Sequence, residues 1–264
     1  MNVTREELRG GFRGLGLGSG DHVIVHSSLS SLGWVDGGAE SVVDALRDAV
    51  DDGTVMMPTF TRYDRAYDPE TSPSTVGAIT EAFRNRSTAV RSAHPTKSVA
   101  AISPDAASLV ADHDLRNSIG PGSPIHRLVD DRNGKILLLG VDHTTNSALH
   151  VAERLADLPY RDQIAETTIR RSDESIETVE VNQVHCSRGF GVAESIAKRV
   201  GLVTYGRVGD ATAQLVDGSA LLSLIVELLE EHPGLLLCDE PDCDRCAYGR
   251  RRIDARETGS NRSR

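Results

Sequence analysis

The chain reads as an α/β protein built on a mixed, mostly parallel sheet with helices on both faces. Three observations predict it. Short apolar, β-branched runs recur at His22 to His26, Thr54 to Met57, Ser98 to Ile102 and Lys135 to Val141. Helical patterns separate or follow them at Ala39 to Val50, Val76 to Arg86, Pro104 to Ala111 and Pro124 to Asp131, and strands alternating with helices favour parallel pairing. Later, Gln163 to Arg170 and Ile176 to Val181 flank S-D-E-S, the pattern of an antiparallel hairpin that makes the sheet mixed.

The remaining elements follow from local signals. Thr4 and Glu7 form a capping box that opens a first helix, which ends among the glycines from Gly14 to Gly20. Ser147 to Ala156 is helical, a helix runs from Phe190 to Gly201, and short strands lie around Leu202 to Val208 and Ala211 to Val216. An apolar helix, Ser219 to Glu231, completes the fold. No internal repeat or linker interrupts residues 1–247, which reads as a single domain. The Arg-rich stretch from Tyr248 to Arg264, set among Gly, Ser, Asn and Asp, lacks core-forming residues and is expected to fray.

Composition narrows the function classes. With 264 residues, 39% hydrophobic and 26% charged, the chain is long enough for a sizeable core and ordinary for a soluble protein. A net charge of −10 opposes nucleic-acid binding and suits a cationic small molecule, although acidity alone also serves solubility. The first residues lack the apolar centre of a signal peptide, and no run approaches the ~18 apolar residues of a membrane span. A cytoplasmic protein without membrane contact is expected; the pattern leaves oligomeric state open, a homo-oligomer included.

In such sheets ligands gather beyond the carboxyl ends of the strands, so the loops after His26, Met57 and Val141 are expected to converge. The first of these reads H-S-S-L-S-S-L-G-W-V-D-G-G, from His26 to Gly38, between a strand and a helix. Small residues there let backbone N–H groups approach an anion, with the helix dipole behind them. Neither G-x-x-x-x-G-K-[ST] nor G-x-G-x-x-G fits the segment, and a Ser/Gly turn by itself is more often a plain connection.

Five further words follow in order. They are M-P-T-F-T from Met57, Y-D-P-E-T-S-P-S from Tyr67 and R-S-A-H-P-T-K-S from Arg91, then G-P-G-S-P-I-H-R-L from Gly120; L-L-L-G-V-D-H-T-T-N-S-A-L-H-V-A-E, from Leu137 to Glu153, closes the series. The succession resembles the aminoglycoside 3-N-acetyltransferase family over roughly Thr4 to Leu229. The resemblance implies a three-layer α/β/α sandwich distinct from the GNAT fold, and acetyl transfer from acetyl-coenzyme A to an amine. It also carries over Ser27, Ser28, Leu29, Ser30 and Gly33 as a phosphate loop with Val35 and Gly37 nearby, and points to Arg91 and Ser98 as further coenzyme contacts.

Acetylating an amine requires a neutral nitrogen, hence a general base, and histidine titrates in the right range. His150 and Glu153, three apart on the expected helix, share one face, and the resemblance to T-S-L-H-L-A-E makes them base and orienting carboxylate. Asp142 is a candidate either to orient His150 or to bind the substrate ammonium, or it only caps its own loop. His94, in R-S-A-H-P, either lines the acetyl site or is a structural turn residue; His126 and His22 read as surface or packing residues. Direct transfer is expected, because no cysteine stands in a nucleophile loop. Acetylation of a different amine metabolite, or a binding protein that has lost catalysis, are the competing readings.

The cysteines carry a separate signal. Cys238, Cys243 and Cys246 follow a C-x4-C-x2-C spacing, and Cys186 is the only other cysteine. Four thiolates suit a closed structural zinc site with no open catalytic position, with His185 as a replacement ligand. The plain alternative is a set of reduced thiols in an acidic loop.

Overall fold

The computed structural model describes residues 2–62 and 64–261. Helix α1 (Arg5–Gly14) starts at Thr4, whose side chain accepts from the Glu7 amide while Glu7 accepts from the Thr4 amide. There follow β1 (His22–Ser27), α2 (Gly38–Val50), β2 (Thr54–Pro58), α3 (Ala78–Arg84), β3 (Val90–Arg91), β4 (Val99–Ile102), α4 (Ala106–Val110) and α5 (Pro124–His126). A wide π turn, Arg127–Asp131, extends α5 before β5 (Lys135–Leu139) and α6 (Ala148–Leu155). The remainder comprises β6 (Ile164–Arg170), β7 (Ile176–Asn182), α7 (Val192–Arg199), β8 (Val203–Val208), β9 (Ala211–Asp217), α8 (Gly218–Glu231) and α9 (Asp244–Asn261).

Seven strands form one sheet in the order β3-β4-β2-β1-β5-β9-β8. It is mixed, but parallel pairing is confined to β1 with β2 and β5, so the expected parallel majority is corrected. The other four pairings are antiparallel, and two of them, β3–β4 on one flank and β8–β9 on the other, join consecutive strands. Gly209 and Asp210 alone join β8 to β9, with Gly209 at φ +56°, and so short a link permits only antiparallel neighbours. The β6–β7 hairpin, expected to contribute to the mixed sheet, stands apart as a sheet of its own. Its Ile169, Val179 and Val181 form a small separate core against Leu115.

Alternating side chains divide the main core between the two faces. Val23, Val25, Val55, Met57, Leu137 and Leu139 point toward α1, α2 and α3, which bury Leu8, Phe12, Leu46 and Phe83 there. Ile24, Met56, Ile136 and Leu138 point the other way, against residues of α6, α7 and α8 such as Val151, Ala193 and Ile225. Full burial of each large side chain contributes about 1.5–3 kcal/mol, and two covered faces explain why these strands read as continuous apolar runs. The molecule is thus a three-layer α/β/α sandwich.

The expected frayed tail is also corrected over Tyr248–Asn261, which continues α9; Arg262 to Arg264 lie outside the described residues. Arg252 reaches Asp162 at 3.0 Å and Arg256 reaches Asp157 at 2.9 Å, while Ile253 packs against the main core. Composition alone does not reveal these acidic partners, which are distant in sequence. Among the described residues no helix is long and apolar enough to cross a membrane.

Candidate active site

Because β1, β2 and β5 run parallel, their carboxyl ends meet at one edge of the sheet. A cavity of about 310 Å³ opens there, walled by Val25 to Ser27 at the end of β1, Pro58 at the end of β2 with Phe60 beyond it, and Val141 with Thr144 to Ser147 after β5. The three loops expected to converge do so.

His150 lines this cavity from α6. Its Nδ1 lies 2.7 Å from Glu153 Oε2, one helical turn on, and Phe190 stands edge-on to the imidazole at 4.7 Å. Glu153 is 0% exposed and His150 6%. Burial works against the Glu153 charge, but Arg161, with Nη1 at 3.4 Å, and the His150 bond hold its carboxyl below the usual range. Tyr160 OH donates to the other carboxylate oxygen at 3.2 Å. An ionised Glu153 accepts a proton from Nδ1–H, fixing the tautomer in which Nε2 carries the free lone pair. Burial lowers the His150 pKa, a trend that Glu153 opposes and Arg161 and Lys97 reinforce. The ring is therefore neutral at neutral pH, as a general base must be.

A second cavity, about 750 Å³, adjoins the first through Ser27, which lines both. Its walls include Ser28, Leu29, Ser30, Gly33, Val35 and Gly37, the whole expected phosphate loop. Gly37 caps α2 at φ +75° without a side-chain bond, leaving the first amides of that helix free of a side-chain cap. Glycine is favoured here by the backbone, which lies at φ +80° at Gly33 and +75° at Gly37; a Cβ would also press on the side-chain ends Asp210 Oδ2 and Ser41 Oγ. Ser31 Oγ donates to the Gly140 carbonyl, tying the loop to the end of β5.

Four expected site residues are placed elsewhere. His94 is buried outside both cavities; its Nδ1 accepts from the Thr96 and Lys97 amides at 3.2 and 3.0 Å, and its ring leans on His113 at 4.7 Å. Asp142 is exposed and accepts from the Thr144 amide at 2.8 Å, so it caps its own loop instead of orienting His150. Arg91 spends its guanidinium on the Thr59 carbonyl, 2.7 Å, and on the Pro69 and Ser72 carbonyls, with Tyr67 against its face. Ser98, fully buried, donates to the Thr59 carbonyl at 2.8 Å. The R-S-A-H-P-T-K-S word thus builds the β3–β4 turn and supplies one cavity residue outside the expected set, Lys97. Lys97 Nζ sits 4.5 Å from the Phe60 ring centre and makes no ion pair among the described residues, and burial lowers its pKa to about 8. His26 and His185 also line the cavity. Nothing in their sequence spacing marks either, since both reach it through tertiary packing. His22 bonds Thr54 and His126 faces Asp130, in packing and surface settings as expected.

The four cysteines meet. Their sulfurs lie within 4.8 Å of one another, with Cys186–Cys238 at 3.9 Å and Cys238–Cys246 at 3.4 Å. A tetrahedron with Zn–S bonds of ~2.3 Å has edges of about 3.8 Å, so the donor set fits zinc. His185 is outside this set: its two ring nitrogens have no partner among the described residues, and its ring leans on Tyr160 at 4.6 Å.

This sandwich, with a histidine–carboxylate pair at a cavity beside a glycine-lined loop, has the layout of an α/β enzyme, and sequence comparison gives the class as acyltransferase. A family model described as aminoglycoside 3-N-acetyltransferase matches residues 24–230, and the chain belongs to that family. It is 32% identical over 237 residues to aminoglycoside N(3)-acetyltransferase IV from Salmonella sp., covering 88% of this chain and 90% of that one. The crystal structure of AAC(3)-IVa apoenzyme superimposes with a TM-score of 0.87 at 32% identity, covering 95% of this chain and 98% of that one. A mutant of that enzyme has been crystallised with a gentamicin, TM-score 0.86 at 31% identity, covering 95% and 98%. AAC-IIIb in a binary complex with CoASH superimposes at 0.81, with 28% identity over 88% of this chain and 98% of that one.

Proposed function

We propose that this protein transfers an acetyl group from acetyl-coenzyme A to the 3-amino group of an aminoglycoside by direct attack within a ternary complex. The buried 2.7 Å pairing of His150 with Glu153, at a cavity joined through Ser27 to the glycine-lined loop, carries this reading. His150 Nε2 takes the amine proton as the nitrogen–carbon bond forms. Glu153 offsets the charge of the resulting imidazolium, and the carbon–sulfur bond breaks to release coenzyme A as its thiolate. Loop amides from Ser27 to Gly38 hold the coenzyme phosphates, which predicts mild effects for single Ser→Ala changes whose hydroxyls do not face phosphate. Homologues that bind CoASH and gentamicin support both substrates.

One observation favours a second acceptor class. Among the described residues no carboxylate lines the His150 cavity, whereas Lys97 places a cation in it. A smaller amine, less dependent on acidic contacts, satisfies that wall better than a polycation does. Thiol release from acetyl-coenzyme A, measured with an aminoglycoside panel and with simple amine metabolites, decides between them; no release with any amine would overturn the enzymatic reading. We further propose that Cys186, Cys238, Cys243 and Cys246 hold one structural zinc, which would join the α8–α9 connection to the loop before α7. Elemental analysis of protein purified without chelators tests this; substoichiometric metal with four freely reactive thiols would refute it.

A further inference from the structure

Trp34 is the only tryptophan in the chain, and it is 74% exposed. Scattered apolar residues at a surface need no explanation, but this one stands in the wall of the 750 Å³ cavity formed by the Ser27–Gly38 loop. Its backbone is pinned: the Trp34 carbonyl accepts from the Val3 amide at 2.7 Å, and the Asp36 amide donates to the Val3 carbonyl at 2.9 Å. Val35, between them, is buried, so the alternation of this short bridged segment turns the neighbouring indole outward. A broad aromatic face is thereby held on an ordered base, in water, beside the start of α2, which has no side-chain cap.

Apart from Trp34, the cavity wall consists mainly of small residues, and among the described residues neither Lys nor Arg lines it. The groups it offers a ligand are backbone amides, the Ser27, Ser28 and Ser30 hydroxyls, the Asp36 carboxylate and one flat π surface. We propose that Trp34 is the adenine platform of the coenzyme site, its indole stacking on the purine while the loop amides hold the phosphates. The proposal rests on the reading that acetyl-coenzyme A occupies this loop. Three features support it. The pantetheine arm must reach the His150 cavity, which adjoins at Ser27, so the nucleotide end is the part left for the larger cavity. Purines stack on indole without needing base-edge hydrogen bonds, and no buried polar side chain of the cavity supplies any. An exposed indole also loses little rotamer freedom on forming the contact, having only two side-chain torsions.

Because Trp34 is the sole tryptophan, intrinsic fluorescence reports on it without background. Coenzyme A, dephospho-coenzyme A and 4′-phosphopantetheine would each be titrated onto the full-length protein, with calorimetry run in parallel. Coenzyme A and dephospho-coenzyme A are expected to quench the indole, whereas phosphopantetheine, lacking adenine, binds without quenching. Trp34→Ala should weaken coenzyme A binding by about tenfold, at the lower end of base–aromatic stacking, while leaving phosphopantetheine affinity unchanged; Trp34→Phe should retain most of the difference. Equal quenching by phosphopantetheine, or equal calorimetric affinity of wild type and Trp34→Ala for coenzyme A, would overturn the platform while leaving the loop as the coenzyme site. No calorimetric binding of coenzyme A to the wild type would overturn both.

Discussion

His150 and His94 differ less in sequence than in what their second nitrogen can reach. Each stands in a distinctive word, each is buried, and burial lowers the pKa of each, that of His94 to about 3. His150 gives Nδ1 to a carboxylate and lines a cavity. His94 gives Nδ1 to two loop amides and lines neither cavity, so its remaining nitrogen faces protein. A low pKa therefore does not identify a base; an orienting carboxylate together with room for a substrate does.

The sharpest way to break this comparison is to truncate both rings. His150→Ala should lower kcat by roughly 10²–10⁴-fold with coenzyme affinity nearly unchanged, the range for a lost general base. His94→Ala should leave kcat nearly unchanged and cost about 1–3 kcal/mol of stability, because two buried amides lose their acceptor. Paired kinetics and thermal unfolding read both. Equal kcat losses in the two variants would erase the distinction.

Glu153 tests the orienting half of the pair. Glu153→Ala leaves the Arg161 guanidinium buried without its only ion-pair partner among the described residues. A broken buried pair costs about 3–5 kcal/mol, so a large fall in Tm should accompany the activity loss. A variant that kept its Tm while losing activity would assign Glu153 to chemistry alone. The metal reading predicts a different separation: chelation should lower Tm more than initial activity at moderate temperature, since zinc binding would be folding free energy. Cys186 nonetheless lies between His185 and Ser187, which line the catalytic cavity, so prolonged chelation should also raise the acceptor KM.

The contrast also shows what the sequence makes legible. The short apolar, β-branched runs place every strand of the main sheet except the short β3, and the i, i+3 spacing of His150 and Glu153 places the two side chains on one helical face. The shared cavity of the loop from Ser27 to Gly37 is readable because its small residues stand together in sequence. Arg91 and Ser98 are not, since a polar side chain in a motif looks alike whether it faces a ligand or a carbonyl of its own chain. Nor is the α9 docking visible, because Asp157 and Asp162 lie about ninety residues before their arginine partners.

The smallest effect concerns pH. The proposed role of His150 as base requires a neutral ring, so kcat/KM should fall as pH drops through a value below the ordinary imidazole 6.5, because burial disfavours the imidazolium more than Glu153 favours it. Lys97 contributes in the same direction as burial: with its own pKa at about 8 it is protonated throughout that range, and its charge opposes a second cation in the cavity. Lys97→Met removes that repulsion and raises the His150 pKa. The acid limb of the profile should then move toward higher pH by a fraction of a unit, with the plateau changed less than in His150→Ala. Lys97→Arg keeps the charge and should hold the limb near its original place. A limb that stays fixed in Lys97→Met would show that Lys97 does not act on the base, and a limb above 6.5 in the wild type would mean that Glu153, not burial, sets the histidine's proton affinity.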